Sequence, residues 1–228
     1  MLREVSRHFG RFAALRSVSA CFETSRLYAV LGENGAGKST LLRVIAGLAP
    51  PTSGTVLLFG VAKPAAVRRR LAYMGHASLL YDELDAMENL RYFAGLYGIQ
   101  DEHLCQESIR AVGLDPALKR RVGQYSQGMR QRLSLARTFL HRPELLLLDE
   151  PFSNVDASST RTMVRLLVAM RDAGCTLLVV THQPALLEGS ADEFVYMAEG
   201  RITGRTRRLG DDLRLRPEMP AAAREVAS

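Results

Sequence analysis

A glycine-rich segment that ends in a lysine and two hydroxyl residues carries the clearest chemistry in the chain. The phosphate-binding pattern G-x-x-x-x-G-K-[ST] is matched by Gly32-Glu33-Asn34-Gly35-Ala36-Gly37-Lys38-Ser39-Thr40. Glycines permit backbone angles that turn several N–H groups toward phosphate oxygens, and Lys38 adds a full positive charge near the outer phosphates. The Ser39 hydroxyl is suited to ligate Mg²⁺. We therefore expect residues 32–40 to bind a nucleoside triphosphate together with Mg²⁺.

Two further groups follow apolar segments that are typical of buried strands. Asp149-Glu150 ends the leucine run at 145–148, and His182 ends the run at 176–181. Parallel strands of this kind bind ligands beyond their carboxyl ends. Asp149 is suited to hold Mg²⁺ through a water, and Glu150 to polarise the water that attacks a γ-phosphate. Such acids and a lone histidine are also common as structural residues, but beside a phosphate loop we favour catalytic roles for Glu150 and His182.

The elements needed to position these groups follow from the apolar pattern. The loop lies between an apolar strand at 27–31 and a helical pattern at 41–47. Residues 84–141 have only helical patterns, which we place at 87–97, 101–112 and from 127 onward, with Ser126 as a helix N-cap. Elsewhere strands and helices alternate, which predicts a mostly parallel, doubly wound α/β sheet. We further predict strands at 55–59, 71–74, 193–197 and 201–206, a short basic helix at 64–70 and a helix at 157–172.

Composition limits the class of protein. The 228 residues have a net charge of +6 and no run of roughly twenty apolar residues, and the first residues lack a signal-peptide core, so we expect a cytoplasmic location. Cys21, Cys105 and Cys175 form no C-x-x-C pair and are expected to be reduced thiols. Basic runs such as 68–70 suit nucleic acid, an anionic membrane surface or solvent. Because no base-stacking aromatics accompany them, we favour solvent and expect no nucleic-acid partner.

An aromatic pair near the N-terminus has two interpretations. Phe9 and Phe12 flank a turn at Gly10. One of them is placed to stack on a nucleotide base, or both are ordinary hairpin aromatics, and the residues alone do not distinguish these alternatives.

The ordered motifs over residues 1–208 resemble the ATP-binding subunit of ABC transporters. Besides the phosphate loop they are YSQGMRQRLSLAR at 125–137, LLLLDEP at 145–151, SNVD at 153–156 and TH at 181–182. The resemblance implies a P-loop NTPase (RecA-like) core, an antiparallel β subdomain, a helical subdomain inserted at about 84–141, and a C-terminal tail at 209–228. It also implies hydrolysis of ATP coupled to transport.

The resemblance implies further site residues. Phe9 would stack on adenine. The signature residues of one copy, Tyr125-Ser126-Gln127-Gly128-Met129, would meet the ATP held by a second copy in a head-to-tail dimer, and Ser153 and Asp156 would couple the two sites. The dimer would be formed by two copies of this chain or with a paralogue.

Two departures from the family pattern indicate which subfamily of transport ATPases this chain resembles. The signature has YSQGM where LSGGQ is the commonest form, although its Ser and Gly remain. His76, which the resemblance places beside ATP, stands where most members have Gln, in Met74-Gly75-His76. Together with Glu88-Asn89-Leu90 and the Gln-Pro that follows His182, this segment looks like the ATPase of the haem exporter of cytochrome c maturation. Drug and lipid exporter ATPases are the related alternative.

The partners expected from the resemblance are separately encoded transmembrane subunits, docked near residues 76–89. The protein would then lie peripherally on the cytoplasmic face of the inner membrane. A soluble ABC ATPase that acts on DNA or ribosomes, and a small-molecule P-loop kinase, are the competing functions. The first usually has paired ATPase domains or inserts, and the second would not need the 125–137 motif.

Overall fold

The computed structural model describes residues 1–62 and 64–211 as two sheets, five α-helices and three short 3₁₀ segments. The strands are β1 (Leu2–Phe9), β2 (Phe12–Ala20), β3 (Leu27–Leu31), β4 (Ser53–Val56), β5 (Leu71–Met74), β6 (Leu145–Asp149), β7 (Thr176–Val180), β8 (Glu193–Ala198) and β9 (Arg201–Thr206). The α-helices are α1 (Lys38–Ile45), α2 (Ala86–Leu96), α3 (Glu102–Ala111), α4 (Gln127–Phe139) and α5 (Ala157–Asp172). The 3₁₀ segments are Pro64–Arg70, Val122–Gln124 and Pro184–Leu187.

The main sheet has the order β5-β6-β7-β3-β8-β9, and all of its pairs are parallel except β8–β9. Every residue of β3, β6 and β7 is buried, as expected for strands that are covered on both faces. Because β6, β7 and β3 are neighbours, the loops after them emerge side by side at one edge. The phosphate loop, Asp149-Glu150 and His182 follow these three strands.

Alternate residues of the central strands enter two separate cores. Leu146 and Leu148 belong to a core that also includes residues of α2, α3, α4 and α5, whereas Leu145 and Leu147 face α1 and the smaller sheet. The two-residue period of a strand thus explains why an unbroken leucine run is required at this position.

The smaller sheet is antiparallel, with the order β2-β1-β4. Phe9 pairs with Phe12 across a two-residue hairpin turn. The strand predicted at 55–59 is instead Ser53–Val56. The chain turns after it because Leu58 bridges back to Val61, with positive φ angles at Phe59 and Gly60.

The segment between β5 and β6 contains α2, α3 and α4 and, within the described residues, no strand. Asp85 begins α2 with a reciprocal capping box: its Oδ1 accepts from the Glu88 N–H at 2.9 Å, and Glu88 Oε2 accepts from the Asp85 N–H at 2.8 Å. Ser126 begins α4 by accepting from the Met129 N–H, as predicted. The short basic helix predicted at 64–70 is present and is a 3₁₀ helix. The predicted α/β fold class, with its antiparallel sheet and helical insertion, is confirmed.

Within the described residues, no helix is long and apolar enough to cross a membrane. The three cysteines are free thiols, and Cys105 and Cys175 are buried. Most of the predicted tail, residues 212–228, lies outside the described residues.

Candidate functional site

The phosphate loop turns tightly onto the N-terminus of α1. Gly37 has φ +98°, and a Cβ there would lie 2.5 Å from the Ala14 carbonyl oxygen, so both the angle and the space require glycine. The first turn of α1 has no acidic residue, which leaves its N–H groups and positive dipole end available to an anion. Ala36 is buried, whereas Glu33, Asn34 and Gly35 are exposed at the crest of the loop.

Lys38 curls back over its own loop. Its Nζ donates to the carbonyl oxygens of Gly32 at 2.7 Å and Glu33 at 2.8 Å. Burial lowers the pKa of Lys38, and the nearby carboxylates of Glu150 and Asp149 oppose that shift. The loop thus holds the ammonium group, and a phosphate oxygen of a bound nucleotide could replace these carbonyl oxygens as its hydrogen-bond acceptor.

Asp149 lies beside the first turn of α1. Its Oδ1 accepts from the Ser39 hydroxyl at 2.9 Å, and its Oδ2 from the Tyr73 hydroxyl at 3.4 Å. Ser39 and Asp149 offer hard oxygen ligands, but no group of three or more Asp, Glu, His or Cys residues is placed to hold a metal ion in the described residues. This arrangement fits Mg²⁺, which keeps waters and phosphate ligands and needs only one or two protein oxygens.

Glu150 adopts a strained conformation, with φ +54°, at the end of β6. Its Oε2 accepts from the His182 N–H at 3.3 Å, and its Oε1 lies 3.4 Å from His182 Nε2. Within the described residues, Oε1 is buried without a geometrically satisfactory hydrogen bond. Burial raises the pKa of Glu150, against the effect of His182. A carboxylate with a free oxygen and a raised pKa is suited to accept a proton from water.

These groups line one cavity of about 480 Å³, a volume typical of small-ligand sites. Of the residues predicted from the sequence, those that line it are Asn34, Gly35, Gly37, Lys38, Ser39, Thr40, His76, Asp149, Glu150 and His182. The exposed His76 therefore lies at the site despite replacing the usual glutamine.

The aromatic residue at this cavity is Phe12 rather than Phe9. Phe12 is 61% exposed and lines the cavity, whereas Phe9 is not among the lining residues. The Arg7 guanidinium carbon instead lies 4.6 Å from the centre of the Phe9 ring. The stacking role that the family resemblance gave to Phe9 remains a prediction, and the geometry provides a second candidate three residues away.

Other contributing residues were missed in the sequence. Arg43, one helical turn after Ser39, also lines the cavity, and its spacing of four residues was the available signal. Gln131 Nε2 donates to the Glu150 carbonyl oxygen at 2.9 Å, and thereby ties α4 to the end of β6. No local pattern marked Gln131, because the contact joins distant segments.

The signature residues divide between surface and core. Ser126 and Gln127 are exposed at the start of α4, and Gly128 lies against residues 153–156, where a Cβ would be 2.9 Å from the Asn154 carbonyl oxygen. Tyr125 is buried, and Met129 packs against the core. The side chains of Tyr125 and Met129 therefore pack within this copy, whereas Ser126, Gln127 and Gly128 offer surface to another molecule.

Ser153 and Asp156 follow Glu150 on the same turn. The Ser153 N–H donates to the Glu150 carbonyl oxygen at 3.4 Å. Asp156 is the N-cap of α5, and its Oδ1 accepts from the Ser159 N–H at 2.9 Å. That hydrogen bond lowers the pKa of Asp156. A cap role therefore already accounts for Asp156 within one copy.

Comparison with known proteins assigns the class. The family model described as "ABC transporter" matches residues 15–153, and the chain belongs to this family. It is an ATP-binding subunit whose ATP hydrolysis is coupled to transport.

The relatives include several transport ATPases. The chain is 33% identical to the ABC transporter ATP-binding protein NatA of Bacillus subtilis, over 83% of this chain and 80% of the relative. It is 36% identical to the probable multidrug ATP-binding protein YbhF of Escherichia coli, but there it spans only 32% of the relative. The bacitracin transport protein BcrA of Bacillus licheniformis is 32% identical, over 87% of this chain and 66% of the relative.

Solved structures agree on the fold. The structure of an ATP-binding subunit of an ABC transporter superposes with a TM-score of 0.81 at 28% identity, covering 90% of this chain and 88% of the other. The dimeric bacterial cassette MJ0796 superposes with a TM-score of 0.83 at 22% identity, covering 90% and 97%.

Proposed function

We propose that this protein powers export across the inner membrane through separate transmembrane subunits, on whose cytoplasmic face it lies. The main observation that supports this proposal is that the same cavity is lined by Lys38, Ser39, Asp149, Glu150 and His182. In the proposal, Lys38 and the loop N–H groups hold the phosphates of ATP. Mg²⁺, held by Ser39 and by Asp149 through a water, would supply charge neutralisation there.

The hydrolytic step assigned to this chain is proton transfer. Glu150 orients a water and accepts its proton as the water oxygen bonds to the γ-phosphorus and the bond from that phosphorus to ADP breaks. The His182 N–H holds the carboxylate by donating to Oε2, which leaves Oε1 to accept the proton. Ser126, Gln127 and Gly128 of a second copy, or of a paralogue, complete the site from across a head-to-tail dimer.

The transmembrane subunits are proposed to dock beside residues 76–89. The support is the exposed apolar side chains of Leu79 and Tyr81 within this segment, together with Tyr92, whose ring packs edge to face on Tyr81. Leu48 and Leu96 are exposed as well. An adjacent groove of about 470 Å³ is lined by Leu48, Tyr73 and Leu96, among others.

The transported substrate has two candidate classes. The multidrug, bacitracin and lantibiotic transport proteins among the relatives favour export of drugs or peptide antibiotics. The Met74-Gly75-His76 segment favours haem export for cytochrome c maturation, as a narrower proposal that rests on that motif.

The phenotype of a strain that lacks the gene distinguishes haem export from export of drugs or peptide antibiotics. Loss of holo-cytochrome c with unchanged antibiotic sensitivity supports haem export, whereas increased sensitivity with normal cytochrome c supports drug export. Reintroduction of the Lys38→Ala variant is the control and should restore neither phenotype. If the purified protein, alone and with co-expressed membrane subunits, hydrolyses no ATP, the export proposal fails in both forms.

A further inference from the structure

Tyr73 lies beside Asp149, the carboxylate proposed above to hold Mg²⁺ through a water. It is on β5, where it pairs with Leu147 of β6. Asp149 is two residues beyond Leu147, so the side chains of Tyr73 and Asp149 point to the same face of the sheet, toward α1. The hydrogen bond between the two side chains shows that the tyrosine spans this diagonal.

The Tyr73 hydroxyl joins two charged groups. It donates to Asp149 Oδ2 at 3.4 Å and accepts from Arg43 Nε at 3.4 Å. The other carboxylate oxygen, Oδ1, accepts from the Ser39 hydroxyl at 2.9 Å. Both Asp149 oxygens are therefore held, and the carboxylate plane is fixed from two sides.

Gly75 provides the space for this arrangement. A Cβ at position 75 would lie 2.8 Å from Tyr73 Cε1, which is closer than real Cβ contacts, and 3.0 Å from Tyr73 Oη, which is tighter than most of them. The tyrosine side chain thus folds back over Gly75, and any larger residue there would displace the ring. Gly75 lies in the segment 74–76, where this chain departs from the usual family pattern, and it leaves space for the Tyr73 ring.

We infer that Tyr73 is a positioning residue that orients the Asp149 carboxylate for the metal. Gly75 leaves the space that the Tyr73 ring occupies. The inference rests on the metal role proposed above for Asp149. Tyr73 touches neither ATP nor the reacting water in this assignment, and it acts through the carboxylate alone.

The test measures metal affinity rather than turnover. Mn²⁺ replaces Mg²⁺, and its binding is followed by electron paramagnetic resonance with a saturating non-hydrolysable ATP analogue. Tyr73→Phe removes only the hydroxyl, and an ordinary hydrogen bond corresponds to about 2- to 12-fold in an equilibrium constant. Because the contact is long, we expect weakening of about 3-fold, and the same for Gly75→Ala. The double variant should be no weaker than either single variant, since both changes break one contact.

Controls separate this role from a purely structural one. Tyr28→Phe removes another buried tyrosine hydroxyl, which accepts from the Glu23 N–H at 2.8 Å far from the metal site, and should leave Mn²⁺ affinity unchanged. Thermal melts without ligands show whether each variant folds. A folded Tyr73→Phe variant, or a folded Gly75→Ala variant if the former does not fold, with wild-type Mn²⁺ affinity overturns the inference.

Asp149→Asn distinguishes failure of this inference from failure of the proposed function. If Asp149→Asn weakens Mn²⁺ binding and Tyr73→Phe does not, only the role of Tyr73 is wrong. If Asp149→Asn also binds Mn²⁺ normally, the metal role of Asp149 is wrong, and the inference falls with it.

Discussion

Replacing Glu150 by glutamine tests the hydrolytic assignment with little disturbance of shape. Glutamine has the same length, can keep the φ of +54°, and can still accept from the His182 N–H. Only the charge and the basicity of the side chain are lost. Lys38 and Ser39 are untouched, so ATP should bind normally.

The size of the rate loss follows from the composition of the site. A positioned general base contributes about 10²- to 10⁴-fold. Glu150 and Asp149 are the two carboxylates that line the cavity, and both oxygens of Asp149 already accept hydrogen bonds. Asp149 is therefore a poor substitute base, but His76 and His182 also line the cavity, so we expect a loss within this range, which corresponds to about 3–5 kcal/mol of transition-state stabilisation.

The assay combines steady-state phosphate release with size-exclusion chromatography in ATP and Mg²⁺. We expect hydrolysis to be nearly abolished while an ATP-bound dimer accumulates. Turnover near the wild-type value would refute the assignment of Glu150 as the base. Normal ATP binding without a dimer would instead refute the proposed closure of two copies.

The same variant has a defined effect on stability. Burial raises the pKa of Glu150 in the folded state, so its contribution to stability is fully present below the unfolded pKa and lost as pH rises through the folded pKa. Near pH 7.5 the variant should therefore melt at a higher temperature than the wild type, and the difference should shrink toward pH 4. For the exposed Glu144, pairing with Arg70 lowers the pKa, so Glu144→Gln should give a small effect of opposite sign.

Three further outcomes are expected. Lys38→Ala should abolish measurable ATP binding in a fluorescent-nucleotide titration, and unchanged affinity would disprove the phosphate-loop assignment. Phe12→Ala should weaken ATP binding about 5- to 160-fold, because stacking on a base is worth about 1–3 kcal/mol. A loss confined to Phe9→Ala would restore the family-based assignment. Asp85→Ala should lower the free energy of unfolding by about 1 kcal/mol in urea titrations through loss of the α2 cap, with ATP affinity unchanged.

The main elements of the fold could be predicted because their signals are local. The buried strands at 27–31 and 145–149 were predicted from the unbroken apolar runs 27–31 and 145–148, and α5 was placed at 157–172, its observed bounds. An error lies where short-range packing decides. The strand predicted at 55–59 ends at Val56 because the chain turns at Phe59 and Gly60. The short basic helix predicted at 64–70 is present, as a 3₁₀ helix.

The sequence by itself determined the chemistry: a glycine loop with Lys38 and Ser39, and acids after a buried strand, have few other uses together. Tertiary structure decided which side chains share the cavity. It placed Phe12 there rather than Phe9, buried Tyr125, and brought Arg43, Tyr73 and Asp149 into one hydrogen-bonded group. The physical reason is that a motif is set by neighbours along the chain, whereas these contacts depend on strand order, register and the space that a residue such as Gly75 leaves open.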